Sequence, residues 1–214
     1  MRARALSVSI SVLFSVLLTA PLGAVAPPAG RLDGGLLDPP WLGVTGEWRT
    51  PSDIDYLWVK PGFSLDGQTL ELAEWDAPLF LNGERDAEDS KLALRLSESM
   101  PGRLESALAA AGVTKVSRTA GTVRLTGRFV DCNAGSKALR IMTGASVVIA
   151  NATWDIKLVD KASGETLAAV HHRGVSGADS NNLGEKINAW LTQVFAPALH
   201  DGFAVYAGAK PARE

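Results

Sequence analysis

A mainly antiparallel sheet with two amphipathic helices packed on one of its faces, an α+β two-layer sandwich, is the fold this sequence predicts. Three observations carry that reading. Residues 123–129 and 148–158 alternate apolar and polar side chains with period two. Leu92, Leu96, Met100, Leu104 and Leu108 recur every four residues, and a second helical stripe, Leu183, Ile187, Trp190, Leu191 and Val194, lies near the end of the chain. An apolar helix stripe must be buried against a partner, and a sheet with one apolar face supplies it.

Taken in order, the chain opens with a basic n-region at Arg2 and Arg4. An apolar run from Ala5 to Leu18 follows, then small residues at Ala24-Val25-Ala26. This is the layout of an export signal, so residues 1–26 are assigned as a signal peptide. An uncleaved anchor is the alternative, and Pro27 leaves the cut position open. Residues 27–52, rich in Gly, Pro and Asp, read as an irregular leader with Trp41 and Trp48 as tacking points. Residues 53–200 then form one α+β domain, and residues 201–214 a loose C-terminal tail.

Within the domain, Ile54 to Lys60 is a β-type run ended by Pro61-Gly62. Asp66-Gly67 separates it from Gln68 to Trp75, a second strand or a hairpin partner. The stripe from Leu92 to Leu108 predicts a helix from about Ala87 to Gly112, kinked at Pro101 or restarted there with Ser99 as cap. Val123, Leu125, Gly127 and Phe129 oppose Thr122, Arg124, Thr126 and Arg128, which predicts an antiparallel strand with a wet, basic side. Val148, Ala150, Ala152, Trp154, Ile156 and Leu158 share one face of the next strand. The turn Asp160-Lys161-Ala162-Ser163-Gly164 folds Glu165 to Arg173 back as its hairpin partner. Asn182 and Glu185 form a capping pair for the last helix, which Pro197 ends or bends.

Composition narrows the function classes. Of 214 residues, 46% are hydrophobic and 21% charged, which is ordinary for a folded protein. Net charge is −2, and loss of Arg2 and Arg4 with the signal takes it to −4, with 19 basic against 23 acidic residues. That balance lacks the basic footprint a phosphate backbone requires, so nucleic acid is not an expected partner. Cys132 is the single cysteine: it cannot close an internal disulfide, and it does not sit where a lipoprotein carries its acyl chains. An inert thiol at a strand end is the reading for it.

No catalytic kit is visible. His171 and His172 are neighbours on a strand and so point to opposite faces, and His200 lies on another element. None of the three sits in a recognised zinc spacing, and Gly174-Val175-Ser176-Gly177 is not a nucleophile elbow. No catalytic residue, metal or cofactor is therefore assigned. Asn151-Ala152-Thr153 fits a glycosylation sequon but falls mid-strand and is read as chance. Arg124 and Arg128, with Lys137 and Arg140, form either a basic patch for an anionic partner or, the preferred reading, a solvated sheet face. Trp154 and Trp190 each lie on an apolar face, which predicts that they meet between sheet and last helix.

Gly127-Arg128-Phe129, Gly135-Ser136-Lys137-Ala138-Leu139-Arg140, Gly144-Ala145-Ser146 and Asp160 through Gly164 followed by Glu165-Thr166-Leu167 resemble the signature of an uncharacterised bacterial envelope family, domain of unknown function 4410. The layout matches over about residues 54–196, with Ser136-Lys137 in place of the family's Asn-Arg and an abbreviated glycine-rich bend. The resemblance implies an exported protein, and it brings no shared catalytic residue or cofactor. Gly135 and Gly144 would bracket an excursion between strands, with Lys137 and Arg140 as a small cationic binding lip at the sheet end.

The expectation is a non-enzymatic module for binding or assembly, placed in the periplasm or cell envelope, with an envelope protein or other envelope component as partner. Membrane contact would come only through an uncleaved signal. Two alternatives remain open at this point: a periplasmic enzyme with its site near His171, His172 and Asp179, and a membrane-tethered scaffold held by its N-terminal segment.

Overall fold

The structure, a computed structural model, describes residues 35–135, 150–176 and 183–212. The expected signal peptide, the cationic lip at Lys137 and Arg140, and the capping residue Asn182 lie outside the described residues, as does Asp179. The elements are α1 (Pro39–Leu42), β1 (Tyr56–Val59), β2 (Leu70–Leu72), α2 (Ala87–Ala110), β3 (Val116–Ser117), β4 (Val123–Asn133), β5 (Asn151–Asp160) and β6 (Thr166–Val175). They continue with α3 (Leu183–Trp190), a π-helical turn (Leu191–Phe195), α4 (Ala196–His200) and a 3₁₀ turn (Ala204–Tyr206).

The fold is α+β, and the sheet is mixed rather than purely antiparallel. Its order is β1-β6-β5-β4-β2-β3. β1, β6, β5 and β4 pair antiparallel, whereas β2 runs parallel to both β4 and β3. The expectation of a β1–β2 hairpin is corrected here, because the two strands stand at opposite sides of the sheet. All three residues of β2, including Glu71, are buried, which suits an interior position better than a half-wet hairpin. The irregular stretch after β2 keeps the parallel course beside β4: the N–H groups of Ala73, Asp76, Leu79 and Leu81 donate to the carbonyls of Leu125, Gly127, Phe129 and Val130.

The long helix is continuous across Pro101. Asp86 caps it by accepting from the N–H groups of Glu88 and Asp89. Proline costs the helix one backbone bond, but Leu96, Met100, Leu104 and Leu108 hold the same buried stripe on both sides of it. Packing decides the outcome. Proline also explains the end of the chain, where the expected stop at Pro197 becomes a change of winding. The π turn precedes it, closed by Ala196 N–H donating to the Leu191 carbonyl, and Pro197 sits in the first turn of α4.

One large cluster contains the buried apolar residues of α2, α3, the π turn and α4 together with Leu57, Leu125, Phe129, Trp154, Ile156, Leu158 and Val170 of the sheet. Trp154 and Trp190 meet edge-on there, with ring centroids 5.3 Å apart. A smaller cluster forms around Leu37, Leu42, Val44 and Trp48 with Ala169 of β6, and Trp41, Tyr56 and Trp58 pack against it. The leader is therefore a strap across the sheet, with Trp41 and Trp48 as two of its anchors. Beyond α4 the chain is tied down where a loose tail was expected. Phe203 is buried, Arg49 bridges to both Leu57 and Pro211, and Ala212 N–H donates to the Trp48 carbonyl.

Candidate functional site

The side of β4 and β5 expected to be wet and basic carries a buried ion cluster instead. On β4, Arg128 follows Gly127, and on β5, Asp155 stands opposite it in register. Arg128 Nη2 reaches Asp38 of the strap at 2.5 Å and Asp155 at 3.4 Å; its side chain is 4% exposed and that of Asp155 is wholly buried. His171 of β6 completes the row, its Nδ1 lying 2.6 Å from the second oxygen of Asp155. Burial pushes the Asp155 carboxyl above its ordinary value of 3.8, against the opposing pull of His171 and Arg128.

Two cations lie over the Trp41 ring of the strap, with the Arg128 guanidinium 4.2 Å and the Lys157 ammonium 4.0 Å from its centroid. Its indole N–H donates to Asp76, and its backbone carbonyl accepts from Lys157. Burial holds the Lys157 ammonium below its usual value, partly offset by the Asp76 carboxylate. Arg124, by contrast, stays at the surface and pairs with Glu71, which also receives Lys161. Of the two arginines read as a solvated face, only Arg124 is solvated. The strap residues Asp38 and Trp41 were the missing signal, and an Asp-Pro-Pro-Trp run in a leader announces nothing by itself.

The three histidines are separated. His171 is enclosed in the ion cluster. His172 points to the other face, where its ring stacks on Trp190 at 4.4 Å and its Nδ1 lies 2.9 Å from Asp55. Burial pulls the Asp55 carboxyl up, but the hydrogen bonds from His172 and from the Arg173 N–H together outweigh it and hold the group below its usual range. His200 is half exposed beside Asp201 at the end of α4. Among the described residues no three His, Cys, Asp or Glu side chains gather in a way that would hold a metal ion. Cys132 is buried, and burial first, then the nearby Asp89 and Asp131, push its thiol up to about 12.

The feet of the signature segment are firmly held. At the end of β4, Ala134 N–H donates to Asp89 Oδ1 (2.6 Å) and Gly135 N–H to Asn133 Oδ1 (2.8 Å). Arg85 pairs with Asp131 beside them. Where the chain returns to β5, Ala150 N–H donates to Ser176 Oγ and Ser176 N–H donates to the Ala150 carbonyl. Four large apolar side chains among the described residues stand in solvent: Val175 (47% exposed) opposite Asn151 at this end, Leu79 (51%), whose N–H donates to the Phe129 carbonyl of β4, Leu94 (49%) in the first half of α2, and Val205 (71%) in the 3₁₀ turn.

The profile of the domain of unknown function DUF4410 matches residues 60–180. The chain belongs to this family. No curated protein matches it. Solved structures give distant likenesses. A PelC dodecamer from Paraburkholderia phytofirmans is 12% identical, with 66% of this chain and 93% of that one covered and a TM-score of 0.43. A single-substitution form of the same protein is 13% identical over 66% and 92%, with a TM-score of 0.42. XCC0632 from Xanthomonas campestris, of the DUF330 family, is 12% identical over 70% and 90%, with a TM-score of 0.37.

Parts of the DUF4410 signature have structural causes. A Cβ on Gly127 would come within 2.6 Å of the Asp155 carbonyl and 2.7 Å of the Trp75 ring, so only glycine lets the indole lie on the strand. Arg128 carries the ion cluster, and Phe129 packs between Trp75 and Trp154. In the hairpin turn, Asp160 Oδ1 accepts from the N–H groups of Ala162 and Ser163, and Gly164 takes φ 74°.

Proposed function

We propose that this protein is an exported, non-enzymatic module for binding or assembly in the bacterial cell envelope, and that it acts through the sheet end from which residues 136–149 leave. The observation that carries the proposal is half-exposed Val175, paired with Asn151 at the end of the β5–β6 ladder, next to two strand termini held by side-chain hydrogen bonds. Apolar side chains standing in water on a rigid platform favour association. Lys137 and Arg140, the binding residues expected from the sequence, lie between those termini along the chain. The buried ionisable groups Arg128, Asp155 and His171 support the same reading, since they face one another and the strap instead of an open pocket.

Export rests on the basic, apolar and small-residue order of residues 2–26. A photo-reactive amino acid placed at Val175 in the full chain tests the proposal. A discrete cross-linked adduct in envelope extract, weakened by Lys137→Ala with Arg140→Ala, is the expected result. No adduct, together with a turnover abolished by His172→Ala, would replace the module with an enzyme.

A further inference from the structure

Away from the sheet end, a groove between α2 and the π turn is lined by Ser99, Gly102, Arg103, Ser106, Asn188 and Thr192. Its one cation is half buried. Arg103 Nε donates to Ser99 Oγ (2.9 Å), and Nη1 donates to the Gly184 carbonyl (3.0 Å) and to Asn188 Oδ1 (2.6 Å). Every one of these acceptors is neutral, and among the described residues no carboxylate pairs with this guanidinium, in contrast to Arg85, Arg118, Arg124 and Arg128. Loss of hydration is the cause that acts on Arg103, and it holds the group below its usual value. A partly desolvated guanidinium with three of its five N–H groups committed to neutral oxygens keeps the two on Nη2 for a further acceptor.

The wide turn of Leu191–Phe195 brings Thr192 to the wall of this groove. Such turns are frequent at functional sites. Nη2 lies over the backbone of Gly184, where an added Cβ would approach it to 3.3 Å. We infer that the groove is an oxyanion site that takes a phosphate or carboxylate group on Nη2 of Arg103, with the hydroxyl of Thr192 as a further donor; the Ser106 hydroxyl already donates to the Gly102 carbonyl. The negative charge would supply the counterion the guanidinium lacks among the described residues, in the planar geometry that arginine offers to both anions.

Titration of the full chain with inorganic phosphate and with acetate, at constant ionic strength, tests the inference through the Arg103 side-chain NMR resonance and the thermal midpoint. A saturable shift is expected with either anion, weakened about tenfold by Arg103→Gln and less by Arg103→Lys. Should Arg103→Gln fail to fold, Thr192→Val and Gly184→Ala carry the test, the second by crowding Nη2 while improving helix propensity. Vesicles containing phosphatidylglycerol, with phosphatidylcholine vesicles as control, separate a lipid headgroup from a free anion; Arg103-dependent binding in either arm supports the site. No saturable effect in any arm, or an equal effect in the Arg103→Gln protein, overturns it.

Discussion

Replacing Arg128 with methionine removes the one charge that faces both Asp38 and Asp155. The side chain is 4% exposed and Asp155 is wholly buried, so the acid is left in a dry site with His171 as its remaining close partner. Breaking a buried pair from one side costs about 3–5 kcal/mol, and the lost contact with the Trp41 ring adds about 1 kcal/mol. Arg128→Met should therefore lower the unfolding free energy by roughly 4–6 kcal/mol at neutral pH, read by urea titration followed through tryptophan fluorescence. The strap should also become a site of limited proteolysis between residues 35 and 48. The penalty has a direction in pH. Burial already raises the Asp155 carboxyl, and loss of Arg128 raises it further. An acid whose folded pKa is raised contributes stability below its unfolded pKa and loses it as pH climbs through the folded one. The mutational loss should thus be smallest in acid and grow towards neutrality. A loss below about 1 kcal/mol, or one that stays flat from about pH 4 to about pH 7, would refute the cluster as the strap's anchor.

Trp190→Ala should cost about 3–5 kcal/mol in the same assay, because the indole packs on His172, Trp154 and Phe195 and donates to the Asp53 carbonyl. A near-neutral change would contradict that packing. Glu71 is held below the ordinary carboxylate range, chiefly by its hydrogen bond from Lys161. Its stabilising effect is present above the unfolded pKa and is lost as pH falls through the folded one. Glu71→Gln should accordingly flatten the acid side of the stability profile, and an unchanged slope would exclude Glu71 as a source of it. Cys132, buried with its thiol raised to about 12, should resist iodoacetamide in the native protein near pH 8 and react once urea unfolds it. Rapid labelling without denaturant would mean the strand end opens.

Periodicity made the helical stripe of α2, the β5–β6 hairpin and the meeting of Trp154 with Trp190 legible from sequence, because burial on one face writes itself as a repeat. The parallel placement of β2 was not legible. Three buried residues carry too little pattern to name a neighbour, and the neighbour is set by a long connection. The ion cluster escaped for a different reason. Alternation identifies the side of a strand that is not apolar, yet it cannot say whether water or another segment covers that side. Arg124 and Arg128 look alike in the alternation, and only the strap distinguishes them. Of the candidate site, Gly127, Arg128 and Phe129 were visible as a motif before their work was known, whereas Arg103 carried no signal, since an arginine within a helix is ordinary until its counterion is found missing.

The junction at Arg49 has a mechanical consequence. That residue is bonded on one side to Leu57 and on the other to Pro211, while Thr50 and Trp48 meet Lys210 and Ala212. Tension applied through residue 212 would load these few bonds one after another, as a seam is unpicked, before it reached the sheet. The first event under force should be a small release of about ten residues, with the aromatic interior still closed behind it.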